Sequence, residues 1–236
     1  MNKIKKMNKM LLSTIAIVAL STTNSFAGEV GFGVSGSIAN ISGNGSELEA
    51  AAERSQNTSF ANDANIGSMF AEYVFDGDHG MTFGIDYIPG SANVNAKTLS
   101  RTDIEASQEG TQGETTASVT RTAQAEIDNH LTYYAELPLV GGLYGKLGYA
   151  TMDVNTTENI GTTKAYGNKS VNATVWGFGY KNSIGSNAFY KVEGTHANYG
   201  GFTLNETGQS TNSAQNSITV ADIIVNKATF AIGFKF

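Results

Sequence analysis

Large apolar side chains alternate with small or polar ones over the last nine residues of the chain, ATFAIGFKF. Alternation of this kind places the two sets on opposite faces of a β-strand. The apolar set continues to the final residue and consists of Phe230, Ile232, Phe234 and Phe236. Alone, the pattern leaves two interpretations open. The strand packs inward in a soluble β-sandwich, or it faces lipid in a transmembrane barrel.

The same period of two recurs earlier in the chain and predicts eight strands in total. No apolar run after residue 27 approaches the roughly 20 residues of a transmembrane helix, but a transmembrane strand needs only about 9–11 residues. The predicted strands cover residues 30–41, 66–76, 81–88, 130–139, 143–154, 171–183, 188–199 and 221–236.

Short and long connections alternate between these strands. Three are tight links rich in Gly, Asn and Asp, typical of β-hairpins, at residues 77–80, 140–142 and 185–187. The other four are long and polar, at residues 43–65, 90–129, 157–170 and 203–220. Outer-membrane barrels have this asymmetry, with short periplasmic turns and longer external loops. The sequence therefore predicts an all-β fold, an eight-stranded antiparallel up-and-down transmembrane β-barrel.

Alternation also persists through residues 117–127, inside the longest connection. This predicts that strands three and four continue above the membrane as an extended hairpin.

Aromatic residues on the apolar faces fall into two bands. Amphipathic rings favour the two lipid–water interfaces, so this arrangement indicates two lipid-facing girdles. The band near the short turns comprises Phe32, Phe75, Tyr180, Tyr190, Phe234 and Phe236, and the band near the long connections comprises Tyr87, Tyr133, Tyr149 and Trp176.

Charged residues within the strands all fall on the opposite face, which points into the barrel. Eight strands leave an interior just wide enough for side chains to fill, so these charges predict a paired polar plug. The alternative is a narrow cation-preferring channel, because four mid-depth carboxylates face two mid-depth lysines. The predicted lumen network is Glu72, Asp86, Glu136, Lys146, Lys181, Lys191, Glu193 and Lys235, with Lys181 and Lys235 nearer the periplasmic rim.

Residues 1–27 have the pattern of a secretory signal peptide. Four lysines precede an apolar run at residues 10–20, and small residues at Ser25 and Ala27 predict cleavage before Gly28. Removing this segment leaves 11 basic and 21 acidic residues, a formal charge of −10. Binders of nucleic acid carry basic patches, so this charge argues against such a partner.

Signal peptide, glycine-rich first strand (GFGVSG, residues 31–36), eight alternating strands and terminal Phe236 together resemble the small bacterial outer-membrane β-barrels, such as the OmpA membrane domain and OmpX. This resemblance implies residence in the outer membrane of a Gram-negative bacterium. It implies that the partners are outer-membrane lipid and, through the C-terminal signal at residues 230–236, the barrel-assembly machinery. A structural or surface-contact role is the leading expectation, and a narrow porin-like channel the alternative.

An enzyme is the least favoured hypothesis. Some small outer-membrane barrels resemble acyltransferases or proteases that use His with Ser or Asp. Of the histidines, His79 falls in a short turn and His196 on the outward face, whereas His130 points inward near Asp128. Two neighbours on one strand do not make a triad, so no catalytic residue is assigned. The sequence, which lacks cysteine, also shows no metal-binding or cofactor signature, and none is assigned.

Overall fold

The computed structural model describes residues 28–49, 54–75, 80–93, 99–106, 116–159, 166–205 and 217–236, and the expected signal peptide lies outside them. Every regular element in these ranges is a β-strand. None of them contains a helix that could cross a membrane. The strands are β1 (Gly28–Glu49), β2 (Arg54–Phe75), β3 (Thr82–Asn93), β4 (Leu99–Ala106), β5 (Thr116–Pro138), β6 (Leu143–Asn159), β7 (Asn168–Ile184), β8 (Ala188–Asn205) and β9 (Ser217–Lys235).

Eight of these strands close into an antiparallel ring, which confirms the predicted barrel. The order around the ring is β1, β2, β3, β5, β6, β7, β8 and β9. The last strand returns to the first along a ladder from Gly31–Lys235 to Leu48–Ser217. Val30 and Phe236 also exchange backbone hydrogen bonds, with N–O distances of 3.2 and 2.9 Å. Because the terminal strand is paired on both sides, the sheet has no open edge where the chain ends meet.

β4, the one described strand outside the ring, belongs to the predicted extended hairpin. β4 pairs with the outer part of β5, from Leu99–Ala123 to Ala106–Thr116. β3 pairs with the inner part of the same strand and ends at Asn93–Glu126. β4 therefore continues along β5 from where β3 ends, so strands three and four do extend beyond the predicted barrel wall.

The strands are much longer than predicted, and the four long connections are wrong in extent. β1 runs to Glu49 and β2 starts at Arg54, inside the loop predicted at residues 43–65. β8 and β9 likewise occupy both ends of the predicted loop 203–220. The reason is that an antiparallel ladder satisfies the backbone whatever the side chains are, so these strands extend past the last apolar residue on the outer face.

Irregularities in the ladders are a second reason why the alternation does not reveal these extensions. Asn129 has φ of 52°, and the pairing of β5 shifts register between Asp128 and Leu131. After this bulge, Leu131 lies on the outer face of β5, as Tyr133 does. Before the bulge, Ile127 packs against buried apolar residues inside the barrel. A bulge inserts one residue and moves the following side chains to the opposite face. A fixed period of two cannot follow the strand across it.

The interior has two layers. Near the short turns it is polar and holds buried carboxylates and lysines. Towards the opposite end it is apolar, which the sequence analysis did not predict. This apolar cluster, which buries side chains away from water inside the extended barrel wall, comprises Ala150, Met152, Val154, Tyr166, Val171, Ala173, Val175, Ala197, Tyr199, Phe202, Leu204 and Ile223.

Inward-facing glycines make room for large rings in the polar layer. Gly84 pairs with Tyr134, and a Cβ added at Gly84 would overlap Cζ and the hydroxyl oxygen of Tyr134. Tyr134 is 5% exposed and donates a hydrogen bond to Glu72. The ring therefore has little freedom to move away from an added methyl group.

We expect Gly84→Ala to destabilise the folded barrel by about 1–3 kcal/mol through this overpacking. The measurement is equilibrium urea unfolding in lipid vesicles. Gly36→Ala is the matched control, since a Cβ at Gly36 meets no heavy atom within 4 Å. Equal unfolding midpoints for the two variants would contradict the packing argument.

Candidate functional site

The C-terminal residues have the orientation that their alternation predicts. Phe230, Ile232, Phe234 and Phe236 are 56, 41, 57 and 75% exposed on the outer surface of the barrel. Their neighbours along β9 are buried inside. A soluble sandwich would bury the aromatic face instead, so this arrangement excludes the inward-packed alternative for β9.

All ten residues of the two predicted aromatic bands are exposed or half-buried. Neighbouring rings shield some of them: Tyr190 lies 6.1 Å from Tyr180 and 6.4 Å from Phe230, measured between ring centroids. The exposed members are Phe75, Tyr133, Tyr149, Trp176, Phe234 and Phe236, and the half-buried ones are Phe32, Tyr87, Tyr180 and Tyr190.

Lys191 lies at the centre of the polar layer. Its ammonium contacts a Glu72 carboxylate oxygen and lies 2.6 Å from Glu136 Oε1. The Lys191 side chain is 2% exposed, and the two carboxylates are 0% and 3% exposed. Tyr134 donates a hydrogen bond of 3.1 Å to Glu72 Oε2. One buried cation therefore compensates carboxylates from two strands, β2 and β5, that are not neighbours of β8.

A second group of ions adjoins the first. Lys146 donates to both carboxylate oxygens of Glu193, at 3.0 and 2.9 Å, and lies 4.0 Å from Glu136. Tyr144 donates to Glu193 Oε1 at 2.5 Å. The Lys146 ammonium also lies 3.9 Å from the centre of the Tyr134 ring, within cation–π range. These contacts join β6 to its neighbour β5 and, across β7, to β8.

Lys181 differs from its predicted place. The sequence analysis put it near the periplasmic rim, but its long side chain reaches into the polar layer and its ammonium lies 2.7 Å from Glu72 Oε1. Three carboxylates and three ammoniums thus make up the central network, which we call the ion cluster: Glu72, Glu136, Glu193, Lys146, Lys181 and Lys191. Because these charges balance, the cluster lacks the excess of carboxylates that favoured a cation channel.

The remaining two predicted network residues lie apart from the ion cluster. Asp86 accepts a hydrogen bond of 2.8 Å from Ser68, whose hydroxyl lies 2.7 Å from the Ser35 hydroxyl. Lys235 lies 3.1 Å from Glu29 Oε2, close to the chain ends. Asp86 therefore belongs to a separate polar chain, and Lys235 to a rim pair.

The two described histidines have different surroundings. His130 points inward as predicted, and its Nε2 lies 2.5 Å from the Tyr199 hydroxyl. Asp128 instead accepts a hydrogen bond from Asn129, the residue with positive φ that lies between Asp128 and His130. His196 faces outward beside Trp176 and contacts Asn226. His79 lies outside the described residues.

Three features of the interior were missed by the sequence reasoning. Lys227 faces inward, and a cavity lies between the ion cluster and the apolar cluster, in contact with both. Tyr199 is 1% exposed at the wall of this cavity. The alternation along β9 does indicate that Lys227 faces inward, because Lys227 shares a face with Thr229 and Ala231, which are buried. Within the described part of the chain, no group of His, Asp and Glu has the arrangement of a metal site.

No protein-family model matches the sequence, and no curated protein does. Several solved structures are similar in fold. One is Ail, the attachment invasion locus protein of Yersinia pestis, at 11% identity and a TM-score of 0.45, with 89% of this chain and 100% of Ail covered. Another is the outer membrane protein OprG from Pseudomonas aeruginosa, at 12% identity and 0.42, with 89% and 97% covered.

A third similar structure is the outer membrane protease OmpT from Escherichia coli, at 10% identity and a TM-score of 0.44. The match covers 91% of this chain and 100% of OmpT. The structural neighbours named here are thus outer-membrane proteins of different kinds, a protease among them.

Proposed function

We propose that this chain is an outer-membrane β-barrel whose lumen is closed by the ion cluster and whose role is structural or in surface contact. The observation that supports closure is the burial of all six ions inside an eight-stranded ring. Their side chains are 0–16% exposed. Eight strands leave a lumen that side chains can fill, and here paired charges and large rings occupy it.

Membrane residence is supported by the outer surface. Valine, isoleucine, leucine and aromatic side chains cover it between the two aromatic bands, with exposures such as 64% for Ile38 and for Phe178. Such an apolar surface is far larger than the patches that soluble monomers expose. Hydrocarbon is the environment that stabilises it. Beyond the outer aromatic band, the strand extensions carry the barrel wall outside the membrane, where they would meet external partners.

The terminal strand supplies a further part of the proposal. Its outward aromatic residues end at Phe236, so the same face that contacts lipid would present the C-terminal signal to the barrel-assembly machinery.

Planar-bilayer recording tests closure of the lumen. We expect the purified, folded protein to produce no stable unitary currents, because buried, paired ions and large rings occupy the lumen. A porin of known conductance in the same membrane is the positive control. Steady unitary currents that track the amount of folded protein would overturn the plug and favour the narrow channel.

Cell fractionation followed by gel mobility with and without heating tests the membrane assignment. We expect the protein in the outer-membrane fraction, migrating differently before and after heating, because a folded barrel resists detergent at room temperature. Recovery in the soluble periplasmic fraction would contradict the proposal.

A further inference from the structure

A cavity of about 200 Å³ lies inside the barrel, on the external side of the ion cluster. Lys146 and Glu193 line it from the ion cluster. Met152, Val175 and Tyr199, which belong to the apolar cluster, form part of its apolar wall. A cavity of about 150 Å³ holds a benzene molecule, whereas drug-sized ligands occupy about 300–1,000 Å³. The space therefore suits a small organic molecule with an apolar body.

Lys227 and His130 also line this cavity. Lys227 contributes its ammonium group, and no carboxylate of the described residues lies within ion-pair distance of it. His130 is held by Tyr199 through Nε2, while its buried Nδ1 has no hydrogen-bond partner in the described part of the chain. Buried polar atoms normally have partners, so each unsatisfied one calls for an explanation.

Each of the other charged groups around the cavity has at least one partner. Lys146 and Glu193 pair with each other, and Asp128 accepts from Asn129. Asp86 accepts from Ser68 through Oδ2, while its buried Oδ1 has no hydrogen-bond partner in the described part of the chain. Lys227 is thus the lining cation for which the described residues supply no counter-ion. An anionic head group would fit beside it, since charge-assisted hydrogen bonds are the strong ones.

The barrel wall next to this cavity lacks a ladder. β2 and β3 pair only from Met69–Tyr87 to Val74–Thr82. Beyond Met69, β2 continues to Arg54 along β1 alone, while β3 continues to Asn93 along β5. Among the described residues, no backbone pairing joins the two strands there. We call this stretch the β2–β3 seam: residues 64–67 of β2 facing 88–92 of β3, all of which line the cavity.

Local sequence explains why the ladder stops. Pro89 has no backbone N–H to donate, and Gly90 has φ of 86°. The β3–β5 register shifts between Ile88 and Ser91, which marks a bulge in β3 at the same place. Tyr87, which precedes the bulge, belongs to the outer aromatic band. The seam therefore starts at the predicted outer boundary of the membrane and connects the cavity with the outside of the barrel wall.

We propose that this cavity binds a small aliphatic carboxylate of about eight carbons, entering through the β2–β3 seam. The carboxylate lies against Lys227 and the free Nδ1 of His130, and the aliphatic chain lies against Met152, Val175 and Tyr199. The inference goes beyond the structural role and does not depend on it, because the cavity lies on one side of the ion cluster whether or not the lumen conducts.

Calorimetric titration of octanoate into the full-length protein in lipid nanodiscs tests the head group. We expect saturable 1:1 binding above the background of empty nanodiscs, with octanol and octylamine at least about tenfold weaker because neither supplies an anion. Lys227→Gln should weaken octanoate by about tenfold and leave octanol unchanged. Lys169→Gln, an exposed lysine of β7 outside the cavity, is the matched control and should bind as the wild type does.

Filling the cavity tests its location. Val175→Trp should abolish octanoate binding, because the larger ring occupies the space that the aliphatic chain needs. Heat-dependent gel mobility checks that each variant folds. Octanoate binding that persists in both Val175→Trp and Lys227→Gln would show partition into lipid and overturn the proposal. So would equal affinities of the unmodified protein for octanoate, octanol and octylamine, a comparison that needs no variant.

Cysteine protection tests the seam, since the chain contains no cysteine of its own. Ile66→Cys places a thiol on the cavity side of the seam, and Asn198→Cys places one on the exposed outer face of β8, which pairs with neither strand of the seam. We expect octanoate to slow modification by N-ethylmaleimide at residue 66 several-fold and leave the rate at residue 198 unchanged. Equal rates with and without saturating octanoate at both positions would exclude entry through the seam.

Discussion

Lys191→Met is expected to destabilise the folded barrel by about 3–5 kcal/mol, the typical cost of removing one partner of a buried ion pair. Lys191 is 2% exposed and compensates both Glu72 and Glu136. Methionine keeps the length of the side chain but leaves three buried carboxylates with two ammoniums, and Glu136 keeps only Lys146, at 4.0 Å. Equilibrium urea unfolding in lipid vesicles measures the difference in the free energy of unfolding.

Lys169→Met is the matched control for this experiment. Lys169 lies on β7 with an exposed side chain, so its replacement should shift stability by less than about 0.5 kcal/mol. The double variant Lys191→Met, Glu136→Gln should recover part of the loss, because it removes the one carboxylate in excess of the two remaining ammoniums. An unfolding midpoint of Lys191→Met equal to that of the control would show that Lys191 does not hold the ion cluster together.

Val192→Lys is expected to cost about 1–3 kcal/mol, because Val192 lies on the lipid face between the band that contains Tyr180 and the middle of the bilayer, where a lysine costs about 2–4 kcal/mol. Val192 is adjacent to Lys191 on β8 but points the other way and is 51% exposed. It pairs with Tyr180 and Phe230, inside the apolar belt of the outer surface. Urea unfolding in vesicles again gives the free energy.

Asn198→Lys is the comparison for Val192→Lys. Asn198 lies on the same strand and the same face, at the external end, and is exposed. The lipid-facing penalty falls to about 0–1 kcal/mol near the interfaces, so this variant should be close to the wild type. Equal costs at the two positions would mean that the outer surface of β8 does not contact hydrocarbon.

Alternation was sufficient to predict the ring and the direction of most side chains. The reason is that in a barrel with lipid outside and ions inside, each strand must keep its two faces chemically distinct. Phe234 and Lys235 illustrate this: adjacent residues are 57% and 8% exposed. The order of the strands followed from the tight turns, such as Gly141 and Gly142 with φ of 65° and 86°.

The external half of the barrel could not be predicted in the same way. Where water replaces lipid on the outside, the outer face becomes polar and the contrast between faces weakens, as at Asn44 and Ser46 in β1. Bulges then invert the parity, as at Asn129. The apolar cluster follows from contacts between strands distant in sequence, which no single segment encodes.

The ion cluster shows a third limit. Parity places Lys181 on the inner face but does not give the reach of its side chain, which extends to Glu72 from the rim. Which lysine pairs with which carboxylate depends on how strands from opposite sides of the ring meet. The seam likewise depends on the missing backbone pairing between residues 64–67 of β2 and 88–92 of β3. Neither the ion pairs nor the seam therefore follow from the spacing of residues along the chain.

The short β2–β3 ladder has a mechanical consequence. It joins six residue pairs, whereas 18 join the first and last strands. When the barrel is pulled from a membrane or begins to unfold, the junction that parts first should be this one rather than the closure of the chain ends. The cylinder would then unroll as one curved sheet, with its N- and C-terminal strands still attached to each other.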